Sequence, residues 1–210
     1  DSNNDSGASM DFIGGNYSVT GGWNHAEAGY AQREVIRQAH EYYQRGFIWT
    51  LQNHSRVPSA IRSAWAAWGL PLDEFGETGG WPHQLYIREA RRMAGDYVIT
   101  ERHVDQETGF VADDPVGMGV YNMDSHHVQR HVNAAGYVRN EGDVQVAPAR
   151  GAYGVSYRAI VPPTNSVQNL FVPVCLSATH IAYGSIRMEP VFMVLAQSAA
   201  AAAVQALDDA

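Results

Sequence analysis

"SATHIAYGSIRMEPVFMVLAQSAA", Ser177 to Ala200, decides how this chain is read. It follows an apolar, strand-like run from Asn169 to Cys175 and sets Ser177, Thr179 and His180 close together. Gly184 and Ser185 then permit a tight turn. Arg187, Met188 and Glu189 precede Pro190, a residue suited to a first helical turn, where its missing amide hydrogen costs nothing. An apolar, alanine-rich run comes next. The pattern predicts strand, turn and helix. The first amides of a helix have no partner within it, and the helix dipole makes that end attractive to an anion or an electron-rich carbonyl. Arg187 and Met188 are placed to touch such a ligand. A capped core helix without a ligand explains the same pattern.

The 210 residues suffice for one large domain or two small ones. The formal charge of −8 leaves no basic face for phosphate backbones, so nucleic acid is not an expected partner. A single cysteine, Cys175, excludes an internal disulfide and a cysteine-built zinc site, and its apolar surroundings in sequence predict a buried thiol. The run from Val191 to Leu207 takes its apolar character mostly from alanine and contains Gln197, Ser198 and Gln205. It is expected to be a buried helix rather than a membrane span. No compartment is assigned.

Upstream, residues 1–29 read as a long irregular segment rich in Asn, Ser and Gly. From Tyr30 to Asn53, Ile36, Tyr43, Phe47 and Leu51 recur at helical steps, and Arg56 to Trp68 reads as a second helix. Trp65 and Trp68 are expected in the core. Leu85 to Met93 is a short helix or an extended segment, with Arg88 and Arg92 sharing a face if it is helical. Strands are expected in "DYVITERHV", in Val116 to Val132, in "VSYRAIVP" and in "NLFVPVCL". The order of elements predicts a mixed α+β chain, with one domain over 1–150 and another over 151–210.

His126, His127 and His131 raise a metal question. In a helix, His127 and His131 share a face at zinc-ligand spacing, but Val128 stands where the usual glutamate belongs. In a strand, Asp124 and His126 point one way and His127 and His131 the other. A base acting near neutral pH, a metal ligand and a hydrogen-bonded structural histidine all remain open. Trp23 and Trp81, each after a Gly-Gly pair, suit stacking on sugars and motivate the alternative of a non-enzymatic carbohydrate-binding module.

Several blocks also resemble, in the right order, a family of FAD-dependent oxidoreductases. They are "WPHQLYIREARRMAGDYVITE", "YNMDSHHVQRHV", "VSYRAIVP" and "NLFVPVCLSATHIAYGSIRMEPVFMVLAQSAA". The resemblance runs from about Ile13 to Ala203. It implies a helical and antiparallel-sheet cap domain that shapes the substrate site, followed by the C-terminal strand–turn–helix of a Rossmann-type FAD domain. The family's glycine-rich pyrophosphate turn is not found: "GMGVYN", Gly117 to Asn122, has an asparagine in place of the third glycine. The resemblance therefore implies a missing N-terminal half as a partner. Ala196 stands where the family's pattern has glycine.

By the same resemblance, Ser177, Thr179 and His180 approach the ribityl chain and phosphates of FAD, and Gly184, Ser185, Arg187 and Met188 pass the flavin. The helix from Glu189 aims its tip at the pyrimidine edge, where reduced flavin is negative. Arg187 adds a positive charge there or pairs with an acid. His127 and Tyr157 are the implied catalytic residues, with His126 and Arg158 at the substrate. The implied activity is hydride transfer between FAD and a small polar hydroxylated molecule, possibly a carbohydrate, away from any membrane.

Overall fold

The computed structural model describes residues 25–105, 107, 109–125, 127, 129–144 and 151–209. Helices and small antiparallel sheets make a mixed α+β chain. It forms two compact units: one of residues 1–87 and 127–141, the other of residues 88–126 and 142–210. The second unit draws on both sides of residue 150.

The first unit is built on helix α1, Tyr30–Asn53. Gly29 opens it, with its amide donating to Gln32 Oε1 at 3.1 Å, and Arg37 bridges Glu34 and Glu41 along one face. Ile36, predicted on the apolar face, is fully buried. Helix α2 is Ser59–Ala66, with Pro58 as its N-cap, so it is shorter at both ends than the run Arg56 to Trp68. Gln52 on α1 donates to the carbonyls of Trp65 and Trp68, both at 3.0 Å. Trp65 is half-buried, but Trp68 lies exposed rather than in a core.

Further along the chain, and in the second unit, α3 is the short helix Glu101–Val104. "DYVITERHV" thus becomes one bridge, Ile99 with Ala178, followed by α3, because Thr100 and His103 form a capping pair that turns the chain. Strand β1 is Pro115–Gly119. The single strand expected over Val116 to Val132 does not form: β1 ends at Gly119, and β2, Gln129–Val132, belongs to the first unit. There β2 pairs antiparallel with β3, Val138–Glu141, around a turn with Gly136 at φ 82°. Arg130 on β2 donates to Tyr43 on α1 at 2.9 Å.

Strand β4, Tyr153–Ser156, pairs antiparallel with β1 and carries the core of the second unit. It stops short of the extent expected for "VSYRAIVP". Ser156 caps a 3₁₀ turn over Tyr157–Ala159 instead. "NLFVPVCL" is irregular; Pro173 brings no amide hydrogen, and isolated bonds hold the segment, among them Val172 N–H to Ile160 O at 2.8 Å. Ile99, Val104, Met123, Val155, Ile160, Leu176, Ile186 and Leu195 fill the interior.

Helix α4 is His180–Ile186, and α5 is Glu189–Asp208. Gly184 and Ser185 therefore sit inside a helix, not in a turn; Thr179 caps α4 and the chain bends only at Arg187 and Met188. One stripe of α5, Val191, Leu195 and Ala199, is buried, so the helix is not the buried core element expected from its composition. It is long and apolar enough to cross a membrane by length and composition alone. Gly117 on β1 lets this stripe approach: a Cβ there would stand 2.6 Å from Leu195 Cδ2. Cys175 is exposed, because the segment expected to bury it runs over the surface.

Candidate functional site

The candidate cofactor residues lie together in the second unit, from the segment before α4 to the tip of α5. Ser177 is fully buried. Its amide donates to Ala159 O at 2.9 Å, its carbonyl accepts from Ile99 N–H at 3.0 Å, and its Oγ accepts from Gly95 N–H at 3.1 Å. Thr179 Oγ1 accepts from Ala182 N–H, which places α4. His180 opens α4 with its ring on the surface and Nδ1 2.7 Å from Glu89 Oε2. Glu89 also pairs with Arg92, whose Nε donates to Ala178 O at 2.9 Å and whose guanidinium lies 5.5 Å from the centre of the Tyr183 ring.

The middle of α4 holds the loop after β1. A Cβ on Gly184 would stand 2.5 Å from the carbonyl oxygen of Asp124, so glycine is required by close approach. Ser185 Oγ donates to Tyr121 O and lies 2.6 Å from Tyr153 Oη. Burial pushes the Tyr153 hydroxyl up to about 12, with the Ser185 bond pulling the other way. Arg187 is buried, and its Nη2 donates to Asp124 Oδ2 at 2.8 Å; Arg88 donates to the same oxygen at 3.1 Å. Two guanidinia on one carboxylate give this trio a formal charge of +1.

At the tip of α5, Met188 offers no capping side chain, and Glu189 and Pro190 are exposed. The amides of Val191 and Phe192 bond to Met188 O, and Pro190 has no amide hydrogen. The tip therefore presents the helix field rather than a row of donors.

Tyr157 and Arg158 occupy the 3₁₀ turn, not the strand. Arg158 is exposed, with Nε 3.2 Å from Asp114 Oδ2 and its guanidinium 4.3 Å from the centre of the Tyr97 ring. At Asp114 burial opposes ionisation, but bonds from Ser156 and Arg158 outweigh it and hold the carboxyl below its ordinary value. The Tyr157 ring lies 6.1 Å from that of Phe171. His126 lies outside the described residues. His127 belongs to the first unit, with a buried Nδ1 that has no hydrogen-bond partner among the described residues. His131 Nδ1 is 3.9 Å from Glu141, and among the described residues no three His, Cys, Asp or Glu side chains gather to hold a metal.

Trp81 has the Arg45 guanidinium 4.7 Å from its ring centre, and Trp23 lies outside the described residues. Asp124, Glu89 and Arg92, which organise the site, were not among the residues predicted from sequence. Asp124 lies within "NMDSHH" and Glu89 between arginines, but nothing in their spacing tells which cation each meets.

The family model for FAD dependent oxidoreductases matches residues 3–210. The chain belongs to this family. It is accordingly a flavin oxidoreductase that uses FAD. No curated protein and no solved structure gave a match.

The second unit fits FAD by charge. A 20-residue helix ends uncapped at the surface, and the buried Arg187 stands at its root. Neutral hydrogen-bonding groups contribute less. Ser177 and Ser185 are turned inward, where they brace the loop and strand that frame this edge.

Proposed function

We propose that this FAD dependent oxidoreductase moves a hydride between FAD and a small, polar, hydroxyl-bearing molecule, and that the second unit faces the flavin. The observation that carries the reading is Arg187, buried and clamped by Asp124 immediately before the uncapped tip of α5. FAD, when bound, supplies the two-electron acceptor. The chain's own part is electrostatic and positional. Asp124 fixes the Arg187 guanidinium, Gly184 and Ser185 fix Asp124 and Tyr121 against α4, and the tip of α5 adds the positive end of its dipole. Met188 and Glu189 are the residues at that tip, and Thr179 and His180 lie at the start of α4.

No glycine-rich pyrophosphate turn is present in these 210 residues, and that part of the cofactor site is assigned to polypeptide outside them. The test is the absorbance of the intact protein as purified, followed by flavin potentiometry of Arg187→Met. Bound flavin is expected in the wild type, with a lower midpoint potential in the variant because a positive charge beside the reduced ring is gone. A folded, colourless intact protein overturns the reading.

A further inference from the structure

The histidines singled out in the sequence differ in their surroundings. His126 lies outside the described residues. The Nδ1 of His127 is buried with no partner among the described residues, so no described group there selects its tautomer. His180 is oriented. Its Nδ1 lies 2.7 Å from Glu89 Oε2, and the ionised carboxylate only accepts, so Nδ1 carries the hydrogen and Nε2 keeps the lone pair. Glu89 is itself held by Arg92, which is fixed by Ala178 O and the face of Tyr183. The side chain of His180 is 53% exposed, so a small molecule can reach it.

The charged groups facing the ring are Glu89 and Arg92. Burial and the Arg92 charge hold His180 below its ordinary value, which keeps the ring neutral and able to accept a proton near pH 7. An anchored carboxylate and an imidazole oriented through Nδ1 on an exposed side chain make a general-base arrangement.

We propose that His180 is the proton acceptor of the reaction, with Glu89 as its positioning residue and an alcohol as the hydride donor. This rests on the flavin reading above. With FAD bound as the two-electron acceptor, the substrate O–H bond would break toward His180 Nε2 as the carbon-bound hydrogen left with its electron pair. The C–O bond becomes a carbonyl, the alcohol is oxidised by two electrons, and the imidazole gains one proton.

Two measurements on the full-length protein test this. Nitrogen-15 NMR of the histidine rings should show neutral His180 protonated at Nδ1, and Glu89→Ala should shift it toward the Nε2–H form. A wild-type ring already protonated at Nε2 overturns the proposal. In stopped flow, flavin bleaching by glycerol, lactate and glucose is compared between wild type and His180→Ala, with bound FAD measured by absorbance. Bleaching per bound FAD should slow by about a hundredfold or more, with partial rescue by added imidazole. Equal rates, or no bleaching by any of these alcohols in an FAD-loaded wild type, overturn it. A protein holding no FAD sinks the flavin reading and this proposal with it, an outcome recognised from the wild-type spectrum alone.

Discussion

The two compact units differ most in what they bury. The second holds the whole hydrophobic cluster from Ile99 to Ala199, whereas the buried apolar residues described in the first are Ala28 and Ile36. The first unit leaves Tyr42, Trp49, Trp68 and Leu72 exposed on long helices and loops. Both have amphipathic patterning, but among the described residues only the second closes its apolar faces into a buried cluster. The difference teaches that patterning commits a face to burial without naming the surface that covers it.

Four measurements break or sharpen this contrast. Leu195→Ala, at a fully buried position of the second unit, should cost about 4 kcal/mol in urea denaturation; a loss under about 1 kcal/mol would mean the core is loosely packed. Asp124→Ala leaves the buried Arg187 without its carboxylate and should cost about 3 kcal/mol, while Asp124→Ala with Arg187→Met should recover part of that loss. Raising the pH tests the buried hydroxyl of Tyr153. Its folded value, about 12, lies above the unfolded one, so its contribution is complete below about pH 10 and is lost as pH rises through 12. Tyr153→Phe should remove on the order of 2 kcal/mol of that alkaline slope, read by denaturation at pH 9 and pH 11.5. The smallest effect belongs to the first unit: Trp68→Ala should change stability by no more than about 0.5 kcal/mol, and a larger loss would show that its helices are packed more tightly than their exposure indicates.

Legibility in the sequence followed the range of the interactions involved. Helix α1 was readable to its ends because its periodicity, opening glycine and length are local signals. The place where α5 begins was equally clear from Glu189 and Pro190. Strand extents were misjudged because β1 and β4 are short and depend on pairing across the chain, and because the Thr100 and Ser156 caps end extended runs early. At the candidate site, Gly184 was noticed for its freedom in a turn, yet its use is to admit the backbone of Asp124 from far away in sequence. Arg187 was recognised as significant, but its partner was not, since Asp124 is brought to it only by the fold. The Glu89–His180 contact was unreadable for the same reason.

Cys175 has a practical consequence. It is the sole thiol in the chain, it lies on the surface, and it precedes Ser177 by two residues. Within these 210 residues a maleimide dye has one position to take, beside the segment that leads into α4. Emission from a dye placed there becomes a reporter of cofactor arrival at that edge.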